Sequence, residues 1–503
     1  MAWLTGVQVA KQVLSVISVS VLARRIPAAI YGLVGMAVLV TTLLETIRDV
    51  GTGTALIREP ELTDDMASTA FWLNCGTGIL VTLLVIALAW PASLFFHQPQ
   101  VTTILRFLSF SFLFGALGVV PTAVLSRAMD FRKLAMAQTT GAVCATTSAI
   151  AIALAGGKVS ALVSASLVMS SVTTLMTWFL SPLRVKAVFE PSYARRILSF
   201  GLHLTGSHIM NYFSRNADNV LVGRFLGSAS LGYYQMGYML MTLPLSNFSL
   251  MLGQVTYPAL SKFSGDHERF RAAYLRMSRL ISLVTFPVMV GLGIIAKPFV
   301  HVFLGAKWAP VAQLLAVFGP LGALQSISGH VSLIYNTQGR TNLFFRWQIF
   351  ASICYVTSFV VGLRWGIMGV AVCYSIVWTL LMIPMWVIPF RLVGLDYRVF
   401  ARGLWPATRS TLVMAAITAA WLWSLRWLQI RNNLLQLVSA VAIGAGVYIG
   451  LILWQKPPVL VDLLNAGDAS SRPLVRRLTQ VLNGMISRRP ALATAQAPGS
   501  NIQ

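Results

Sequence analysis

The stretch VLSVISVSVLARRIPAAIYGLVGMAVLVTTLLETIRD, residues 13–49, consists of two apolar runs on either side of the charged pair Arg24 and Arg25. The second run has about 20 residues, and so has the first when it is followed back to residue 3; this is the length of α-helix that crosses a hydrocarbon layer of about 30 Å at 1.5 Å per residue. Lipid offers a peptide backbone no hydrogen-bond partners, so such runs must form helices. The stretch therefore predicts two transmembrane helices joined by a short turn.

The same pattern continues along the chain, and the composition excludes a soluble fold. Of the 503 residues, 56% are hydrophobic and 10% are charged, with a mean hydropathy of +0.74, whereas a soluble domain carries about 25% charged residues. The apolar runs predict an all-α integral membrane protein with about fourteen transmembrane helices. Their predicted bounds are 3–23, 30–49, 68–90, 104–125, 134–155, 159–181, 198–222, 228–251, 277–297, 309–335, 343–363, 366–390, 404–425 and 433–454.

The charge of the chain indicates its topology. The formal net charge is +24, but Lys and Arg stand singly or in pairs between the apolar runs, so no nucleic-acid partner is expected. More of them fall in the even-numbered loops and the C-terminal tail than in the odd-numbered loops, and basic loops stay in the cytoplasm. We therefore expect both termini to be cytoplasmic.

The second half of the chain carries a sequence similar to the start. VLARRIPAAIYGLVGMA (21–37) resembles VLVGRFLGSASLGYYQMG (220–237), about 200 residues later. The matched pairs are Leu22 with Leu221, Arg25 with Arg224, Gly32 with Gly232, and Met36 with Met236. A chance match of two apolar strings is the alternative to a duplication. A duplication with six spans per half predicts parallel repeats related by an axis along the membrane normal.

The repeat divides the chain into four predicted parts. They are an N-lobe of spans 1–6 (residues 1–190), a C-lobe of spans 7–12 (191–392), spans 13–14 (393–456) and a cytoplasmic tail (457–503). In the tail, residues 472–489 place apolar side chains on one helical face among arginines, which predicts an amphipathic helix on anionic lipid. The end of the tail has a composition typical of disorder.

Polar side chains inside spans are the candidates for a transport site, because such sites lie near the bilayer midplane. Span 7 holds four at helical spacing, namely His208, Asn211, Arg215 and Asp218. An Arg or Asp facing lipid costs roughly 2.5–3.5 kcal/mol on insertion scales, so the stripe should face the other half or a watery cavity. The alternative is that Arg215 and Asp218 neutralise each other at a helix interface.

Spans 1 and 7 share further basic candidates. Span 1 carries Lys11 and Gln12 on a polar face, and Lys11 lies too far along the helix to reach the interface easily, so we expect both to line the same cavity. Arg24, Arg25 and Arg224 lie at the predicted extracytoplasmic ends of these two spans. They either guide an anionic headgroup or bind lipid phosphates and cap helix C-termini.

The end of span 2 gathers Glu45, Arg48 and Asp49 within one turn. Glu45 and Asp49, together with Asp218, are candidates for coupling transport to an ion. The alternative for the span 2 group, which we favour, is an ion-paired helix end near the interface.

No motif for covalent or nucleotide chemistry is apparent. The chain contains no P-loop, HExxH or GxSxG sequence. Its four cysteines are scattered without CxxC spacing, so no metal site is predicted. The sequence predicts a transporter and not an enzyme, without a cofactor, driven by an ion gradient or by the gradient of its substrate.

Three stretches resemble a known family. LARRIPAAIYGLVGMA (22–37), FSRNADNVLVGRFLGSASLGYYQMG (213–237) and LGAKWAPVAQLLAVFGPLGALQSISG (304–329) are similar to the polysaccharide-export branch of the multidrug/oligosaccharidyl-lipid/polysaccharide (MOP) exporter superfamily, in its Wzx-like colanic-acid, lipopolysaccharide and O-antigen flippase subgroup. The resemblance covers roughly residues 10–400.

The resemblance implies two six-helix lobes of the MATE-like MOP fold around a central cavity, with alternating access and two extra C-terminal helices. It implies undecaprenyl-diphosphate-linked oligosaccharide repeat units as cargo, flipped across a bacterial inner membrane for exopolysaccharide or lipopolysaccharide biosynthesis. Membrane lipids, a polysaccharide polymerase and glycosyltransferases are the expected partners. Lys and Arg in the cavity would neutralise the diphosphate.

Two other functions are compatible with this architecture. A cation-coupled multidrug exporter of the MATE type would favour buried carboxylates, but the chain has only 14 acidic residues, mostly in loops, so an anionic cargo is the better interpretation. A membrane scaffold for a polysaccharide assembly complex would not need the polar stripe in span 7.

Overall fold

The computed structural model describes residues 2–48, 51–59, 61–262 and 266–455, with side chains described except at 2–13, 47, 200–208, 210, 214 and 245–262. Within these ranges the chain is helical and contains no β-strand. The predicted amphipathic helix at 472–489 and the disordered end of the tail lie outside the described residues.

Sixteen α-helices follow one another in the described ranges. They are α1 (Ala2–Arg25), α2 (Ala28–Arg48), α3 (Thr52–Arg58), α4 (Asp64–Phe96), α5 (Gln100–Arg127), α6 (Phe131–Leu154), α7 (Lys158–Leu180), α8 (Pro191–Lys262), α9 (His267–Ile294), α10 (Ala296–Phe303), α11 (Ala309–Ser328), α12 (Val331–Thr337), α13 (Thr341–Gly362), α14 (Gly366–Val393), α15 (Tyr397–Trp427) and α16 (Asn433–Gln455). A 3₁₀ turn at Ala306–Trp308 precedes α11, and another at Leu363–Trp365 joins α13 to α14.

The helices have the length and surface of membrane spans. Nine segments of the described chain are long and apolar enough to cross a bilayer, and one of them contains both α13 and α14. Large apolar side chains are exposed on them, for example Leu80 at 65% and Phe179 at 81%, as lipid-facing residues must be. The prediction of an all-α, multi-pass membrane protein is confirmed, whereas the number fourteen stays a prediction.

Local sequence explains where several helices begin and bend. Thr63 precedes α4, and its side chain accepts a hydrogen bond from the Met66 amide, which satisfies one free donor of the first turn. α8 runs through two predicted spans and is interrupted at Gly227, whose φ of 84° favours glycine. We call the parts before and after Gly227 α8a (191–226) and α8b (228–262). The predicted span 309–335 is divided between α11 and α12.

The chain forms two compact units that do not follow the order of the sequence. The first unit contains Met1–Leu240, Phe299–Phe318 and Gln348–Leu380. The second contains Met241–Pro298, Gly319–Trp347 and the chain from Leu381 onward. The predicted division into lobes at 1–190 and 191–392 therefore stays a prediction.

In the first unit, α2 and α8b cross at two glycines. A Cβ atom placed on Gly32 would overlap the carbonyl oxygen of Ser228, and one placed on Gly232 would overlap the carbonyl oxygen of Ala28. The contact is reciprocal, because Ala28 and Gly32 are each 200 residues before Ser228 and Gly232. A two-fold axis between duplicated halves produces this pattern, so the contact supports the predicted repeat.

The segment between α7 and α8 is fixed to the start of α4. Ser68 and Thr69, both fully buried, accept hydrogen bonds from the backbone amides of Lys186 (2.9 Å) and Glu190 (3.0 Å). The Lys186 Nζ contacts Asp65 Oδ1 at 3.0 Å, and this hydrogen bond raises the pKa of the lysine. These contacts order a segment that has no regular structure of its own.

The core of the second unit packs α9 against α11, α14 and α15. Gly319 of α11 lies against the backbone of α9, where an added Cβ would come within 2.7 Å of the Met289 carbonyl oxygen. Tyr274 of α9 contacts the rings of Phe390 (5.8 Å) and Phe400 (6.3 Å). α16 is joined to α9 by a hydrogen bond from Tyr448 Oη to the Leu283 carbonyl at 2.6 Å.

The crossing of α2 and α8b predicts a position-specific effect of one methyl group. Gly32→Ala should destabilise the protein by about 1–3 kcal/mol, since the methyl meets a backbone oxygen that cannot move independently of its helix. Gly76→Ala in α4 is the control, because nothing lies within 4 Å of the added atom. The measurement is the thermal unfolding midpoint of both purified variants, and an equal midpoint for Gly32→Ala and wild type would contradict the prediction.

Candidate functional site

The predicted stripe on α8a separates into a buried and an exposed part. Asp218 is 6% exposed, and its Oδ2 accepts a hydrogen bond from Tyr234 Oη at 3.0 Å. Its Oδ1 accepts from the backbone amide of Asn219 at 2.7 Å and from the Asn219 side chain at 3.1 Å. The carboxylate is thus held between α8a and the buried Tyr234 of α8b.

The exposed part of the stripe makes no ion pair with this carboxylate. Asn211 and Arg215 are exposed. The ion pairs among the described residues are Lys133–Asp130, Lys186 with Asp64 and Asp65, Arg196–Glu59 and Arg269–Asp266. A neutralising Arg215–Asp218 pair is not among them, and the donors to the carboxylate are Tyr234 and Asn219. Cavity lining by Arg215 stays a prediction.

Arg24, at the end of α1, is attached to the chain around α10. Its Nη2 donates a hydrogen bond to the Val302 carbonyl oxygen, and its own carbonyl accepts one from Lys307 Nζ at 2.9 Å. One turn earlier, Ser20 Oγ donates to the Phe303 carbonyl at 2.5 Å. The end of α1 is therefore fixed to the turn that leads into α11.

Arg224, near the end of α8a, makes a contact that corresponds to the contact of Arg24. Its Nη1 contacts the imidazole of His97, with 2.9 Å to Nε2. The guanidinium also lies 5.5 Å from the ring centre of Phe95 and 5.8 Å from that of Phe225, within the range of cation–π attraction. His97 ends α4 with a φ of 53°, so the arginine binds the turn between α4 and α5.

The contacts of Arg24 and Arg224 are reciprocal between the two predicted halves, as are the contacts of Gly32 and Gly232. An arginine from the first half reaches the turn before α11, and an arginine from the second half reaches the turn before α5. Val302 follows His97 by 205 residues, close to the offset of the repeat. Both arginines therefore join the two halves within the first unit, while Arg25 is exposed at the end of α1.

A buried tryptophan that the sequence reasoning did not single out fills the space between these contacts. Trp308 is fully buried and donates its indole N–H to the Ala23 carbonyl at 2.8 Å. Its ring lies edge-on to Tyr31 (5.3 Å) and Tyr233 (5.8 Å), which come from the two halves. The available signal was its place in LGAKWAP, one of the stretches that carry the family resemblance.

Several predicted site residues have no side-chain description. The side chains of Lys11, Gln12 and His208 lie outside the described residues, as does the whole of Asp49. Glu45 is exposed on α2. Within the described part of the chain, no group of three or more His, Cys, Asp or Glu side chains is arranged to hold a metal ion.

Comparison with known proteins agrees with this architecture. Residues 21–313 match the family described as "Polysaccharide biosynthesis protein". The lipopolysaccharide biosynthesis protein WzxC of Escherichia coli (strain K12) is 25% identical over 403 residues, which are 78% of this chain and 80% of that protein.

Two solved structures have the same fold. The lipid II flippase MurJ in an inward closed conformation superposes with a TM-score of 0.73 at 16% identity, covering 90% of this chain and 98% of that one. An inward-facing multidrug resistance MATE family transporter of the MOP superfamily gives 0.61 at 17% identity, covering 76% and 94%. Because the family match spans more than half of the sequence, the chain belongs to the polysaccharide biosynthesis protein family.

Proposed function

We propose that this protein is a flippase that moves undecaprenyl-diphosphate-linked oligosaccharide repeat units across a bacterial inner membrane for exopolysaccharide or lipopolysaccharide biosynthesis. The observation that carries the proposal is the reciprocal closure of two repeated halves at the ends of α1 and α8a. Two halves joined at one end can rock about a site between them, which is how alternating access operates. The relative WzxC and the MurJ fold support the same class of cargo.

The charge of the chain favours an anionic cargo. Arg215 is exposed on α8a, and no ion pair among the described residues includes it. A guanidinium can bind a diphosphate with two parallel hydrogen bonds. We propose that Arg215, with Lys11, Gln12, His208 and Asn211, binds the diphosphate or the first sugars.

Orientation and partners belong to the same proposal. The excess of Lys and Arg in the even-numbered loops supports a cytoplasmic location for both termini. In that orientation the contacts of Arg24 and Arg224 lie on the extracytoplasmic side. A polymerase and glycosyltransferases of the same polysaccharide would consume and supply the cargo.

Deletion of the gene is expected to make undecaprenyl-linked repeat units accumulate on the cytoplasmic leaflet, because nothing then moves them outward. The measurement is mass spectrometry of extracted lipids, combined with the accessibility of the sugars to a membrane-impermeant reagent. Unchanged lipid-linked sugar together with increased sensitivity to cationic drugs would reject the proposal in favour of a multidrug exporter of the MATE type.

Arg215→Ala is expected to lower export at least about tenfold, because a hydrogen bond to a charged group contributes about 1.5–3 kcal/mol. Arg364→Ala removes an equal charge from the exposed turn between α13 and α14 and serves as the control. Export is measured as polysaccharide released by deletion cells that carry each variant at equal protein level. Wild-type export by Arg215→Ala would favour a scaffold role.

Asp218→Asn compares two of the three candidates for ion coupling, Asp218 and Glu45. The variant keeps an acceptor for Tyr234 but loses the negative charge, so transport should lose its dependence on a cation gradient while the protein remains folded. Glu45→Gln, at the exposed candidate on α2, is the comparison. The measurement is uptake of lipid-linked sugar into vesicles with and without an imposed proton or sodium gradient. If only Glu45→Gln removed the dependence, Asp218 would not be the coupling residue.

A further inference from the structure

The first unit contains a polar cleft that the contacts described above do not use. It has a volume of about 490 Å³ and lies between α2, α3, α5 and α7. That volume falls within the range of about 300–1,000 Å³ that small-molecule sites occupy. Polar side chains that line it and can bind a ligand are those of Arg48, Thr122, Ser126, Ser170, Thr174 and Thr177.

Arg48 brings a cation with an unused donor into the cleft. Its Nε is buried and has no hydrogen-bond partner among the described residues. The guanidinium lies 5.9 Å from the ring centre of Phe112, and its terminal nitrogens lie against the Cα of Gly115, where a Cβ would overlap them. A buried donor without a partner is unfavourable, above all on a charged group, so an anion that binds the guanidinium from the cleft would stabilise it.

The hydroxyl groups of α7 leave their oxygens available as acceptors. Thr174 Oγ1 donates to the Phe114 carbonyl at 2.9 Å, Thr177 Oγ1 to the Thr174 carbonyl at 2.8 Å, and Ser170 Oγ to the Ser111 carbonyl at 3.1 Å. A hydroxyl that has given its proton to the backbone still has lone pairs for a second partner. These oxygens can therefore accept hydrogen bonds from the hydroxyls of a ligand.

No carboxylate in the described chain neutralises Arg48 by direct contact. Glu45, one turn earlier on α2, is exposed and attracts Arg48 electrostatically without forming an ion pair with it. The ion pairs between described residues do not include Arg48, and the residues that line the cleft include no acidic side chain. Among the described residues that line it, the cleft thus combines the charge of Arg48 with several neutral acceptors.

From this combination we propose that the cleft binds an anionic sugar, with its phosphate or carboxylate on Arg48 and its hydroxyls on the threonines and serines of α7 and α5. The proposal rests on the proposed function for the origin of such a ligand, the sugar portion of the lipid-linked cargo. It adds a second polar site inside the N-terminal half, separate from Arg215. The Arg48 guanidinium would select repeat units that carry a negative charge. The hydroxyl oxygens of α5 and α7 would bind the hydroxyls of the sugar.

Direct binding tests the proposal on the purified full chain in lipid nanodiscs. The probes are glucose 1-phosphate, glucuronate, glucose and inorganic phosphate, titrated by calorimetry. Either or both of the anionic sugars should bind, and glucose and phosphate should each bind at least about tenfold more weakly, because each satisfies only one part of the site. The stronger of the two anionic sugars identifies whether a phosphate or a carboxylate is preferred.

Variants connect that binding to the cleft. Arg48→Gln should lower the affinity for the anionic sugar at least about tenfold, whereas Arg106→Gln, an exposed arginine on the same helix as Gly115, should match wild type. Gly115→Ala keeps the charge but displaces the guanidinium, and should weaken binding as well. If Arg48→Gln does not fold, the affinities of Gly115→Ala and Thr122→Val for the anionic sugar test the proposal instead, and both should be lower than that of wild type.

Three results would overturn the proposal: no binding of either anionic sugar, equal binding by wild type and Arg48→Gln, or phosphate alone binding as tightly as glucose 1-phosphate. Lipid analysis of the deletion strain distinguishes a failure of the cleft proposal from a failure of the proposed function. Accumulated lipid-linked sugar with any of the three results rejects only the cleft. Binding that depends on Arg48 without such accumulation rejects the flippase and keeps the sugar site.

Discussion

Helices in lipid gain little from apolar contact with one another, so their association depends on how closely their backbones approach. The crossing of α2 and α8b at Gly32 and Gly232 is the clearest example, because each glycine lies on a carbonyl oxygen of the other helix. Any side chain at these positions would separate the two halves. The contacts of Arg24, Arg224 and Trp308 described above require the short distance between α2 and α8b that the two glycines allow.

The basic residues of the chain therefore have different physical roles. Arg24 and Arg224 bind a backbone carbonyl and an imidazole, and both connect the two predicted halves. Arg215 and Arg48 belong to no ion pair of the described chain, and each is proposed above as a ligand-binding group. The net charge of +24 does not distinguish these groups.

Serine and threonine hydroxyls provide hydrogen-bond acceptors on the surfaces of apolar helices in this protein. Many described serines and threonines donate to a carbonyl three or four residues earlier, as Thr82 does to Gly78 at 2.7 Å. Such a bond satisfies the proton locally and leaves acceptor capacity on the helix surface. At Ser68 and Thr69 this capacity orders the segment before α8, and in the cleft beside Arg48 it faces open space.

The sequence by itself determined the all-α membrane architecture and the family, because apolar run length and residue identity are local properties; the repeat that it predicts stays a prediction. It also selected Arg24, Arg224 and Asp218 as candidates, but it did not predict their partners. Val302, His97 and Tyr234 became neighbours of these residues only in the folded chain. Helical periodicity shows which face a side chain occupies, but not which distant segment meets that face. For the same reason Trp308 and the cleft at Arg48 required the tertiary structure: each depends on backbone approaches between helices far apart in sequence, which a linear pattern does not encode.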